Sequence, residues 1–272
     1  MTREEEGAVK ADLYTRKATG YETSLLTGIQ REFNRQRDEV LANVATVQRT
    51  FTGQRTKDYV DSLLNWEQAD VAMKAAVEPA LLAVIIETGM DAMQQIGMQP
   101  STYDPYSEAI TAWYQQRTTK LAEDVNDETE KQLRATLTEG VNAGESSYQL
   151  QARIEAVMGL ASTLRADLIA QTEIARAQSY ADIAAWDQSG IVTAKEWYTA
   201  QDERVCKFCG PMHGRVIGLE ENFYSKGDVQ TEAGTNRKGE ETTYVYNHDY
   251  DDVMGAPLHP RCRCTLLPLR AR

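Results

Sequence analysis

From Tyr106 onward, Ile110, Trp113, Tyr114, Leu121, Val125 and Leu133 recur three, four, seven or eight positions apart. That spacing puts one apolar stripe along a long amphipathic helix. Earlier stretches with helical periodicity predict helices over roughly 22–50, 57–77 and 80–97. Gly53, the Glu78-Pro79 step and the segment Gly97 to Pro105 punctuate them. Ser146 with Gln149 reads as a capping box that opens a short helix to about Met158. A further helix from about Thr163 is expected to end before Gly190, a residue suited to the C′ position. No self-similar period of 20–50 residues marks a helical solenoid.

Beyond Gly190 the pattern changes. Val192–Thr199, Thr242–Tyr246 and Cys264–Leu267 read as short strands. Ser225–Glu241 has almost no apolar content and reads as a solvent-exposed excursion. Residues 1–190 carry three of the seven prolines and no cysteine or histidine, whereas 191–272 hold all four cysteines and all three histidines. The expected class is α+β: a mainly α-helical N-terminal part with long amphipathic helices, then a small, loop-rich C-terminal domain with short strands.

The cysteines and histidines concentrate the chemistry. Cys206-Lys-Phe-Cys209 is followed at once by Gly210-Pro211, and His259-Pro-Arg-Cys262-Arg-Cys264 comes about fifty residues later. Two thiolates separated by two residues can chelate one ion from a tight turn, and a second short ligand segment completes a tetrahedral set. This pairing predicts a structural zinc in a zinc-knuckle-like site that supplies folding energy a small domain lacks. The second segment offers three donors where two are needed. The favoured set is Cys206, Cys209, His259 and Cys264, with Cys262 the substitute. A redox CxxC, four separately buried cysteines and paired disulfides are competing readings; no thioredoxin-like unit surrounds the CxxC. His213 is a weaker ligand candidate. His248, within Asn247-His-Asp-Tyr-Asp-Asp252, admits either a metal-dependent nuclease or an acidic surface turn.

Charge narrows the partners. A formal net charge of −12 argues against a protein that coats DNA or anionic membranes through its bulk charge. The segment from Ala256 to the end nevertheless has no acidic residue and carries Arg261, Arg263, Arg270 and Arg272. That basic edge either touches phosphates or balances a thiolate-rich site. The polar N-terminus lacks a signal-peptide core, and the strongest apolar run, Ala80–Ile86, is too short to span a bilayer. The expectation is a soluble chain made in the cytoplasm, with no membrane association.

Several of these pieces occur in a specific order. Arg165-Ala-Asp-Leu-Ile-Ala-Gln-Thr172-Glu173 precedes Gly190; Lys195-Glu-Trp197-Tyr-Thr199 and Asp202-Glu-Arg204-Val-Cys206 follow. The series then runs through Gly214-Arg-Val to Pro257-Leu-His259-Pro-Arg-Cys262-Arg-Cys264. Over about 130–268 this resembles the phage Mu F-like head morphogenesis family, minor head proteins of tailed bacteriophages. The resemblance implies two parts: residues 1–130, a helical region for portal docking or assembly, and 131–272, a Mu F-like domain with the Cys/His metal site. It also implies a non-enzymatic, capsid-internal protein beside the portal protein, with scaffold or major capsid protein and phage DNA as further contacts. It would assemble in the host cytoplasm, enter the virion and aid genome packaging or ejection. The family's suspected metal ligands map onto Cys206, Cys209, His259, Cys262 and Cys264. Two departures stand out: His213 occupies a position more usually apolar, and the stretch between the ligand segments is long, suggesting an added surface loop over 219–255. With no portal-length or toxin-like segment, the expectation is a free-standing minor head protein. A nuclease or a DNA-binding module is the alternative.

Overall fold

The computed structural model describes residues 2–47, 60–200, 202, 205–236 and 238–270. Its helices are α1 (Arg3–Val47), α2 (Trp66–Gln95), α3 (Glu108–Asn142), α4 (Ser147–Leu160) and α5 (Ala166–Ser189). The strands are β1 (Val192–Tyr198), β2 (Val216–Gly218), β3 (Val229–Thr235), β4 (Glu241–Asn247) and β5 (Thr265–Arg270). The α+β order of helices followed by short strands is as the periodicity predicts.

Element boundaries differ where polar or small residues carry the helical stripe. Helix α1 starts at Arg3, not near residue 22. Thr2 and Glu5 close a reciprocal pair, with Glu5 N–H donating to Thr2 Oγ1 (3.2 Å) and Thr2 N–H to Glu5 Oε2 (2.8 Å). Glu4, Glu5 and Glu6 then oppose the positive end of the helix dipole. The first turns bury Gly7, Lys10, Tyr14 and Ala18. These sit at helical spacing but give little apolar signal. The helices expected over 57–77 and 80–97 meet as α2, which runs through Pro79. Interior proline costs roughly 3 kcal/mol. Burial of Met73, Val77, Leu81, Val84 and Ile85 on both sides of it outweighs that cost. Gly53, the end of the helix expected over 22–50 and the start of that over 57–77 lie outside the described residues. The Ser146–Gln149 capping box forms as predicted. The helix it opens continues through a π-helical turn, Ala161–Arg165, into α5. Gly190 ends α5 at φ +65°.

Two compact units emerge. One comprises Met1–Tyr21, Ala83–Ser107 and Gln171–Arg272; the other comprises Glu22–Leu82 and Glu108–Ala170. Helices α1, α2 and α5 contribute residues to both, and the expected boundary at 130/131 falls within α3. Among its described residues the second unit holds helices and their connecting turns, and it buries Leu25, Ile29, Phe33, Met73, Leu121, Leu133 and Ile154.

The first unit holds the strands. Its main sheet has the order β2-β1-β5, antiparallel throughout, with Lys195 opposite both Ile217 and Pro268. Trp186, Trp197, Phe223 and Leu266 are fully buried there. The first turns of α1 reach this sheet through Arg3, which donates to Glu196 (2.7 Å) and to the Pro268 carbonyl (3.0 Å). Further along, Lys10 pairs with Asp182 at 2.8 Å, and the Tyr14 hydroxyl donates to the same carboxylate. The excursion expected over Ser225–Glu241 is instead half of a hairpin. Strand β3 pairs with β4 over seven residues from Val229↔Asn247 to Thr235↔Glu241. The reason it lacks an apolar signature is visible in its burial. Val229, Thr231, Ala233 and Thr235 all face solvent, and only Gln230 is buried.

Candidate metal centre

Two tight segments bring the cysteines together. In the first, Gly210 N–H donates to the Cys206 carbonyl (3.0 Å), and Cys209 N–H donates to Cys206 Sγ (3.3 Å). The turn therefore closes around one sulfur, and a short 3-10 turn, Gly210–Met212, carries the chain away. In the second, Cys262 N–H donates to the His259 carbonyl (3.1 Å), and Arg261 adopts φ +62°. The chain then passes through Cys264 into β5. Arg263 and Asp202 join the two segments through paired hydrogen bonds of 2.8 and 2.6 Å.

The donors converge as two overlapping triads. Cys206, Cys209 and His259 form one; Cys209, Cys262 and Cys264 form the other, with the donor atoms of each within 4.8 Å of one another. His259 Nε2 lies 3.0 Å from Cys206 Sγ and 3.2 Å from Cys209 Sγ, and the Cys209 and Cys262 sulfurs are 3.7 Å apart. Zn–S bonds of about 2.3 Å in a tetrahedron place two sulfurs about 3.8 Å apart, so the sulfur–sulfur spacing matches. His259 Nδ1 lies 2.8 Å from the Pro260 carbonyl. A proton donated there leaves Nε2 facing the sulfurs, the arrangement of a metal-bound imidazole. Thiolates and imidazole suit a borderline-soft ion rather than calcium or magnesium. The residues fit a metal ion. Cys209, common to both triads, is the hub.

Proton affinities in the cluster are polarised. Cys206 falls to about 4, chiefly through its hydrogen bond with Cys209 and then through His259. His259 rises to about 9, chiefly through Cys206. Cys209 is pushed up by its contacts with the Cys206, Cys262 and Cys264 sulfurs and by burial, and Cys262 is pulled well below its usual value by its contacts with Cys209 and Cys264. Cys264 rises despite its contact with Cys209, because the Cys262 charge and burial outweigh it.

The remaining candidates lie elsewhere. His213 accepts from Thr199 N–H at Nδ1 (3.3 Å), stacks edge-on with Tyr198, and places Nε2 3.4 Å from Glu4. His248 is 3% exposed, stacked flat on Tyr224 (4.1 Å) and edge-on to Tyr246. Burial lowers its proton affinity. Neither belongs to a donor triad. Arg261 and Arg270 are exposed, Arg263 is engaged by Asp202, and Arg204 and Arg272 lie outside the described residues. Residue types and spacing do not single out Gln230 or Tyr246 as supports of the site, whereas the basic edge with Arg263 admits that reading. Gln230 sits in a segment that carries no apolar signal, and Tyr246 belongs to a strand whose pattern does not show what its hydroxyl meets.

Among the described residues no helix is long and apolar enough to cross a membrane. The family described as phage Mu protein F like protein matches residues 131–267, just over half of the chain, and all five donors lie in that span. No curated protein and no solved structure matches the chain.

Proposed function

The chain belongs to the phage Mu protein F-like family, and on that footing we propose that it is a minor head protein of a tailed bacteriophage. In this reading it is a phage head morphogenesis protein that contacts other head proteins and becomes part of the virion. It assembles in the host cytoplasm, sits inside the capsid beside the portal protein and aids packaging or ejection of the genome. Residues 131–272 form the family part, and residues 1–130 supply the docking helices. A structural zinc held by Cys206, Cys209, His259 and one of Cys264 and Cys262 staples the C-terminal part. A set of four protein donors leaves no open position for water, which suits a structural ion rather than a catalytic one.

The observation that carries this reading is the convergence of five thiol and imidazole donors, inside the span that matches the family, on a site with no carboxylate ligand among the described residues. A nuclease centred on His248 is less well supported, since that ring is enclosed by Tyr224 and Tyr246. A DNA-binding edge retains Arg261 and Arg270 but shares Arg263 with Asp202. Co-expression with the portal protein of the same phage tests the assignment. The chain should co-sediment with assembled portal rings and leave DNA uncut in Mg²⁺ or Mn²⁺. Free portal rings, or DNA cleavage lost in His248→Ala, would overturn it.

A further inference from the structure

Two ligand segments about fifty residues apart must be held in register before they can share one ion. Their direct tie, Asp202 to Arg263, is partly exposed, and exposed pairs contribute roughly 0–1 kcal/mol. A second set of contacts reaches both segments from the β3–β4 hairpin. Gln230, nine-tenths buried and the one inward-facing buried residue of β3, donates its side-chain N–H to the Phe208 carbonyl (2.9 Å). Phe208 stands between Cys206 and Cys209. On the facing strand, the Tyr246 hydroxyl donates to the Leu258 carbonyl (3.1 Å), the residue before His259. The rings of Tyr246 and Phe208 are 5.4 Å apart, and Lys207 lies over the Tyr244 ring. Gln230 and Tyr246 are directly opposite each other in the register.

We infer that the β3–β4 hairpin is a brace for the metal centre, with Gln230 and Tyr246 as positioning residues that fix the two ligand segments at the spacing one ion requires. This rests on the metal reading above and deepens it by giving the long stretch between the segments a role. One cross-strand pair grips one carbonyl in each segment, so the strand register sets the distance between the two grips. Support of ligands by hydrogen bonds from outside the coordination set is commonly worth ten- to a hundredfold in metal affinity. The dependence is mutual. An isolated two-stranded hairpin is marginal in water; its seven-residue ladder has one face in solvent, so it draws stability from the segments it holds. Coupling of this kind is reciprocal.

Zinc affinity of the full chain, measured by competition with a chromophoric chelator, tests the brace. Tyr246→Phe keeps the ring and removes only the hydroxyl, Gln230→Met keeps volume and removes the donor, and Lys238→Ala at the exposed hairpin tip is the control. Each positioning variant should bind zinc about tenfold more weakly, and the double variant about a hundredfold. The control should match wild type, and helical circular dichroism should be unchanged in all. Cobalt(II) loaded in place of zinc should show an altered absorption spectrum in the double variant, which a purely structural loss elsewhere would not produce. Removing zinc from wild type should speed amide exchange in β3 and β4. Positioning variants that bind zinc as tightly as wild type, with an unchanged cobalt spectrum, would overturn the brace while leaving the metal centre standing. A wild-type chain that binds no zinc would overturn the metal centre itself, and the brace with it.

Discussion

Lys195 is the residue whose chemistry most opposes its position. Its side chain is fully buried in β1, donating to the Leu219 carbonyl (2.6 Å), and burial lowers its pKa to about 8. In the unfolded chain the amine binds its proton up to about 10.5. Between pH 8 and 10.5 the unfolded state therefore carries more protons, and stability rises with pH across that window. Below pH 8 the full cost of the buried charge is present. Lys195→Met should accordingly stabilise the protein at pH 7 by about 2 kcal/mol, after allowing roughly 1 kcal/mol for the lost hydrogen bond. Urea titrations at pH 7 and pH 10 should show that gain shrinking towards zero; a gain independent of pH contradicts the assignment. Gly7 makes the opposite kind of case. Alanine is favoured over glycine in a helix by about 1 kcal/mol, yet a Cβ at Gly7 would sit 2.2 Å from the Tyr198 ring. Gly7→Ala should therefore lower the melting temperature, by an overpacking cost of about 1–3 kcal/mol. A raised melting temperature would show that the first turn of α1 does not lie against Tyr198.

At the scale of elements, the legible features were those with a strong local signature. The capping box at Ser146, the C′ glycine at Gly190 and the alternation of β4 all announce themselves in a few residues. The start of α1 is not legible although Thr2 and Glu5 form the same kind of box, because the stripe after it is built from Gly7, Lys10, Tyr14 and Ala18. Strand β3, the partner of β4, is not legible because a strand with threonine and alanine at its outward positions and one face in water leaves no apolar trace. The cysteine segments behave differently: spacing singles out five candidate donors, but only packing reveals that Cys209 joins both triads. Because binding energy at such a site is folding energy, Cys206→Ser should open the C-terminal part to protease while leaving most of the helical circular dichroism. A fully protected C-terminal part would count against the staple. Acidity should act at the same place. With His259 raised to about 9, an ion binding at pH 7 must displace its proton. Zinc affinity should then climb at least about tenfold per pH unit from pH 6 to 8. An affinity flat across that range would contradict a centre built from protonated thiols and imidazole.

For the whole molecule, the net charge of −12 still weighs against a DNA-coating role, but the basic segment after Ala256 is less available than its composition suggests. Arg263 pairs with Asp202, which lies just ahead of Cys206. The compact units also cut across chain order, which no linear change of composition foretells; that division depends on helices long enough to serve two cores. What remains central is the proposal that this member of the phage Mu protein F-like family carries a centre for one structural ion. Elemental analysis of the full chain, purified under reducing conditions without chelator, tests this most directly. The expected result is about one zinc per chain in wild type, with little or none in Cys209→Ala, since that sulfur is common to both triads. Metal-free wild-type protein with four freely titrating thiols and an intact, protease-resistant C-terminal part would contradict it.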